Sequence, residues 1–206
     1  MNKNKYGRKP PFRQTKEEVL VVCGGKTEQI YFDIFKQKFK PSLGNIIIVT
    51  ALKAQNPIQI VEYAINIRQQ KNSYNSVWCV FDKDDFPDFD EAIDYAKQNG
   101  IYTAYSNQAF EIWFINHYRR LYTSLHRNKY KDELNKFLSF PYDKDHGTIT
   151  RVCDTILTEN KLKEAIKNTR YGYEYHKTYT KSKKASEYES CTTIFMLVRD
   201  LLNWIE

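Results

Sequence analysis

Nothing in this 206-residue sequence has the spacing of a zinc site or a disulfide framework: its four cysteines, Cys23, Cys79, Cys153 and Cys191, are scattered along the chain. The first two lie inside apolar runs, where a thiol packs as a small hydrophobe, so a reducing compartment is expected. His117, His126, His146 and His176 have no partner at metal-ligand spacing. No serine–histidine–aspartate or cysteine–histidine arrangement can be drawn either, which removes those kinds of nucleophilic catalysis from consideration. No apolar run approaches about 18 residues, and the polar, basic N-terminus lacks the apolar centre of a signal peptide. The expectation is a cytoplasmic chain with no membrane partner. Internal repeats and low-complexity segments are absent as well.

What is present suits one domain with an appendage, since 41% hydrophobic residues suffice for one substantial core. The net charge is +7, and sixteen tyrosines and twelve phenylalanines bring the aromatic share to 15%. Tyrosine beside lysine and arginine supplies the stacking and phosphate contacts of a polyanion binder, although a lysine-rich genome encodes the same bias. Residues 1–16 hold six Lys or Arg and no acid, and read as a flexible basic arm.

The stretch Val77-Trp78-Cys79-Val80-Phe81-Asp82-Lys83-Asp84-Asp85 is an apolar run that breaks abruptly into acid. No helical stripe passes through its first five residues. It therefore predicts a buried strand with carboxylates at its C-terminal end, where open α/β sheets bind ligands. Asp82 and Asp84 project the same way at a two-residue spacing and repel unless a proton or cation separates them; a hard cation, Mg²⁺ or Mn²⁺, answers that need. A polar turn after a core strand, with Asp85 or Asp88 as a helix cap, fits the same residues.

Upstream, Glu18 to Cys23 is a second apolar run, followed by Gly24-Gly25 and a helical stripe of Ile30, Tyr31, Ile34 and Phe35. Such a turn offers backbone N–H groups and a helix N-terminus to an anion, with Lys26 alongside; it lacks the longer glycine-framed spacing of a Walker loop. Asn45 to Thr50 makes another strand, and Pro57 opens a helix with Ile60, Val61, Ala64 and Ile65 on its stripe. A third helix runs from about Asp88 to Asn99, stopped by Gly100, and Ile101 to Tyr105 gives a fourth strand. This alternation predicts the α/β class, with a mostly parallel, doubly wound sheet flanked by helices over residues 17–106.

Residues 107–206 predict a mainly helical C-terminal part packed on that core. Ala109 to Tyr118 is an apolar helix whose single acid, Glu111, either complements the helix dipole or turns toward Asp82. Further helical pieces fall near Ile149 to Ile156 and Lys161 to Thr169. Tyr171 to Lys184, rich in tyrosine and lysine with one acid, reads as a basic aromatic loop. Thr192 to Ile205 closes the chain as a helix with Ile194, Leu197, Val198, Leu201 and Leu202 as its core face.

A strand, glycine turn and helix followed by a later strand ending in Asp-x-Asp is similar to the Toprim fold of topoisomerases, primases and OLD-type nucleases. The fuller string resembles the RloB family of bacterial abortive-infection proteins. It comprises Val21-Val22-Cys23 with Thr27-Glu28 and Tyr31-Phe32, Val80-Phe81-Asp82-Lys83-Asp84, Ser106-Asn107 with Phe110-Glu111-Ile112-Trp113, and Ser190-Cys191-Thr192-Thr193. The resemblance implies a Toprim-like core that binds Mg²⁺ or Mn²⁺ and cleaves nucleic acid, DNA or RNA with tRNA among the candidates, beside an ATPase partner in phage defence. It puts metal carboxylates on Asp82 and Asp84, with Glu111 as a further acidic site residue. Lys26 and Lys83 are the lysines expected at phosphate.

The family's first-turn glutamate falls on Gly24, and glycine can neither move a proton nor complete a metal site. Glu28, one helical turn on, takes over; or the family tolerates the loss; or the residue was altered to silence a toxic enzyme. Two functions stay open: a metal-dependent nuclease, and a catalytically silent nucleic-acid-binding or effector subunit of a partner ATPase.

Overall fold

The computed structural model describes residues 18–39, 45–54, 56–71, 73–121 and 123–202. The basic arm at 1–16 and the end of the last predicted helix lie outside the described residues. Four strands, β1 (Glu18–Cys23), β2 (Asn45–Thr50), β3 (Ser76–Asp82) and β4 (Tyr102–Ser106), form one parallel sheet in the order β2-β1-β3-β4. Central β1 is buried from Val19 to Cys23, which is why it reads as an unbroken apolar run: both of its faces are covered.

Period-two alternation sorts the sheet residues into two apolar layers. Val19, Val21, Cys23, Trp78 and Val80 face helix α1 (Lys26–Lys38), while Leu20, Val22, Val77, Cys79 and Phe81 face α2 (Pro57–Gln70) and α3 (Phe89–Gln98). The α1 layer also takes in α4 (Glu111–Asn116), α5 (Tyr130–Asn135), α6 (His146–Ile156), α7 (Glu159–Tyr179) and α8 (Ile194–Leu202). The C-terminal half is thus continuous with the sheet's own core. The sheet is doubly wound, and its direction of growth reverses between β1 and β3, which opens a crevice at their C-terminal ends.

Local sequence explains the punctuation. Asn56 caps α2, its side-chain oxygen accepting from the Gln59 N–H at 3.0 Å with Pro57 in the first turn. Gly100, at φ +64°, closes α3 in the left-handed conformation that glycine adopts freely. The open edge of β4 is covered by the chain at Cys191–Thr193: the Thr193 N–H donates to Tyr105 O at 2.8 Å, the Asn107 N–H to Cys191 O at 2.8 Å, and Ser106 and Thr192 form an antiparallel bridge.

Three expectations need correction. The tyrosine-rich stretch from Tyr171 is no loop as far as Tyr179; it is the second half of the 21-residue α7. Its tyrosines and lysines hold the helix because α7 is anchored earlier by Leu162, Ala165, Asn168 and Thr169, all buried. The fourth strand is displaced by one residue to Tyr102–Ser106. The last helix starts at Ile194 because Thr192 and Thr193 are committed to the β4 edge. Among the described residues, no helix is long and apolar enough to cross a membrane.

Candidate active site

Strand parity sets the site. Asp82 follows Trp78 and Val80 on the α1 side of the sheet, so its carboxylate emerges at the strand tip facing α1 and the start of α4. There it meets Glu28 from the first turn of α1 and Glu111 from the first turn of α4. All three line one cleft of about 280 Å³ at the switch point, together with Gly24, Gly25, Lys26, Asp84 and Lys144. Glu28 and Glu111 are 5% and 2% exposed, so charge here is not screened by bulk water. Beneath the cleft, Tyr31 and Phe32 of α1 pack on Phe110 at the start of α4 with ring centres 5.5 and 6.4 Å apart.

The carboxylates differ in their partners. Asp82 Oδ2 accepts the Phe110 N–H at 3.0 Å, whereas its Oδ1 is buried with no hydrogen-bond partner. Burial first, and then the charges of Glu28, Glu111 and Asp84, push the Asp82 carboxyl well above the usual carboxylate range. Glu28 is raised to about 7, mainly by burial and further by Glu111, against a lowering contribution from its own backbone N–H. Glu111 Oε1 accepts both the Tyr142 hydroxyl at 2.8 Å and the Lys144 ammonium at 2.8 Å. Burial and then the Glu111 charge push the Tyr142 hydroxyl far up, so it stays a donor.

Asp84 is displaced from the simple two-residue projection because β3 ends at Asp82 and Asp84 sits at φ +42°. Its N–H donates at 3.1 Å to the carbonyl of Gln108, itself at φ +96°. Two non-glycine residues in the left-handed region, one after β3 and the next after β4, place strain at the rim of the cleft. Arg127 clamps this rim, its guanidinium ion-paired to Asp84 and Asp85 and its N–H donating to Gln108 Oε1 at 2.6 Å.

The paired glycines have separate reasons. A Cβ on Gly25 would stand 2.6 Å from Glu28 Oε2, so the missing side chain makes room for that carboxylate to fold back over the turn. A Cβ on Gly24 would point to the other side of the sheet, 2.7 Å from Ile60 Cδ1 and 3.3 Å from Val80 O. The Gly24 N–H meanwhile donates to Val80 O at 2.8 Å, tying the turn to β3. Lys26 lines the cleft, next to the uncapped N-terminus of α1. Lys83 does not: its N–H is bonded to Ser106 O at 2.9 Å, and it is not among the lining residues.

The donor set suits a hard cation. A buried carboxylate oxygen with no partner, beside two further buried carboxylates that raise its proton affinity, is what oxygen-ligated Mg²⁺ or Mn²⁺ relieves. No three His, Cys, Asp or Glu groups among the described residues close into a ready-made cage. Mg²⁺ commonly needs only one or two carboxylates, taking its other ligands from water and phosphate. Arg127, Tyr142 and Lys144 were not legible in the sequence. They lie in a lysine-, tyrosine- and asparagine-rich tract with no motif, and only the packing of α5 and α6 against α4 and α1 carries them to the rim.

A family model described as RloB-like protein matches residues 19–201. No curated protein and no solved structure matches the chain.

Proposed function

The chain belongs to the RloB-like protein family, and from that membership and the carboxylate cleft we propose that it is a metal-dependent nuclease of a bacterial phage-defence system of the abortive-infection kind. The observation that carries this reading is the meeting of Asp82 with two buried carboxylates, Glu28 and Glu111, at the sheet's switch point, with one buried Asp82 oxygen left without a partner. Asp82, with Glu111 or Asp84 as a second carboxylate, would hold Mg²⁺ or Mn²⁺, which would supply neutralisation of phosphate charge and a more acidic water.

The chain's own groups do the rest. Lys26 and the N-terminus of α1, whose N-cap Gly25 has no side chain to cap it, attract the phosphodiester to the cleft. Lys144, which lines the same cleft and is ion-paired to Glu111, helps to offset charge that builds on the phosphate oxygens. Glu28, half ionised near neutral pH, accepts the proton of the attacking water. It takes this role in place of a glutamate at Gly24; in support, the turn is built to let its carboxylate fold over Gly25.

A second reading, a catalytically silent nucleic-acid-binding or effector subunit docked on an ATPase, is favoured by one observation: the Gly24 turn is packed so closely under Ile60 that a side chain has no room without repacking. A cleavage assay decides between them. Single-stranded DNA, duplex DNA and total tRNA are incubated with Mg²⁺ or Mn²⁺ and the unaltered chain, Gly24→Glu, and Asp82→Ala in each background. Cleavage by the unaltered chain that disappears with Asp82→Ala is the expected result. Cleavage only after Gly24→Glu supports the silent form, and cleavage that survives Asp82→Ala overturns the nuclease reading.

A further inference from the structure

The Glu111–Lys144 ion pair lines the carboxylate cleft and also a second pocket, of about 390 Å³. That volume falls within the range of about 300–1,000 Å³ common for small-ligand sites. Its walls include Tyr130 of α5 and Tyr142, each only 2% exposed, and Ala109 just before α4. The Tyr142 hydroxyl braces the shared partition by donating to Glu111 Oε1 at 2.8 Å.

Three cations border this pocket, and each already has an acid. Arg127 is paired with Asp84 and Asp85, Lys131 with Asp143 at 3.7 Å, and Lys144 with Glu111 at 2.8 Å. The pocket therefore has no surplus positive charge with which to hold a phosphate of its own. What it offers is uncharged: the tyrosine walls, and His126 and Asn128, both exposed at its mouth. The Asn128 N–H donates to His126 Nδ1 at 3.3 Å, which leaves the ring proton on Nε2, and among the described residues the Asn128 side-chain amide has no partner. An N–H donor and an amide that both donates and accepts thus stand free beside aromatic walls.

We propose that this pocket receives the base of a nucleotide adjoining the phosphodiester held in the carboxylate cleft, with His126 and Asn128 meeting the edge of that base. A nucleobase is uncharged, has apolar faces and carries donors and acceptors along its edge, which matches a charge-balanced pocket with polar groups only at the mouth. A base stacked and paired in a duplex offers neither its faces nor its pairing edge, so the form that fits is an unpaired strand or a base turned out of the helix. The inference rests on the reading that the cleft holds nucleic acid, and it adds a base subsite to it.

The test is fluorescence anisotropy with two labelled single strands of about 16 nucleotides, one of mixed sequence and one with tetrahydrofuran in place of every base, in EDTA so that no cleavage intervenes. The phosphates are the same, so the difference reports the bases alone. The unaltered chain is expected to bind the complete strand about tenfold or more tighter than the abasic one. Combining Asn128→Ala with His126→Ser, which keeps a cap acceptor for the turn at Arg127–Lys129, removes most of that difference and leaves affinity for the abasic strand unchanged.

Equal binding of the two strands by the unaltered chain overturns the pocket and leaves the nucleic-acid reading of the cleft standing. So does a difference that survives in full in the natively folded double variant, because the bases are then held elsewhere. Binding of neither strand at about 50 mM salt overturns the proposal and that reading together.

Discussion

Burial sets the charge state of Asp82 and Glu28, and this ties stability to pH. The Glu28 carboxyl is raised to about 7 in the fold from 4.5. A group whose folded value lies above its unfolded value contributes stability that is fully present below the unfolded value and is lost as pH rises through the folded one. Urea unfolding in EDTA should therefore show stability falling from about pH 4.5 to above pH 7, by on the order of 3 kcal/mol for Glu28. Glu28→Gln should flatten that slope. Asp82→Asn, which keeps the shape and removes the charge, is expected to stabilise the metal-free fold by about 1–3 kcal/mol at pH 8. Saturating Mn²⁺ should stabilise the parent by about 3 kcal/mol at a hundredfold excess over Kd and leave Asp82→Asn unmoved. A parent indifferent to Mn²⁺ would count against the metal site. Asp82 itself stood out in the sequence because an apolar strand ended on it; its buried, partnerless oxygen did not, since that depends on α4 closing over it.

At the scale of the element, α7 and the β4 edge carry the sharpest expectations. Gly172 lies inside α7, and a Cβ there meets nothing within 4 Å. Gly172→Ala should raise stability by about 0.5–1 kcal/mol in thermal or urea unfolding if this stretch is helical, and have no such effect in a loop. Thr193 Oγ1 accepts the buried Tyr105 N–H at 2.9 Å. Thr193→Val keeps the volume but strands that N–H, at a cost of about 1–3 kcal/mol, and should speed hydrogen exchange at Tyr105. The helical reading of residues 171–179 was missed because tyrosine and lysine there form an exposed surface, so no apolar stripe marks the period.

Across the whole molecule, the sheet and the helical half should unfold as one body, because a single apolar cluster contains Val19, Val21 and Val80 of the sheet together with residues of α4 to α8. A fragment ending at Ser106 would keep its α2 and α3 layer but open most of the α1 layer to water. It should lack a cooperative urea transition and give poorly dispersed amide resonances; a sharp transition at that length would show the α/β part to be independent. The groove lined by lysines of α3 and α7 is likewise a property of the assembled molecule, since Lys97 of α3 and Lys177 of α7 share it only after the helices have packed.

The sequence by itself determined the order and type of the strands and of helices α1 to α3, the parallel sheet, the end of β3 on Asp82 and the resemblance to the RloB family that family matching then bore out. These follow from local rules, hydrophobic period, caps and glycine stops, which act over a few residues and are written in order along the chain. Tertiary structure decided which acids meet, that a side chain at Gly24 would meet Ile60, and that Arg127, Tyr142 and Lys144 close the rim. Those facts depend on strand parity at a switch point and on helices packed from distant parts of the chain. Charges brought together by such packing raise one another's proton affinity only once water has been excluded, and no local pattern records that exclusion.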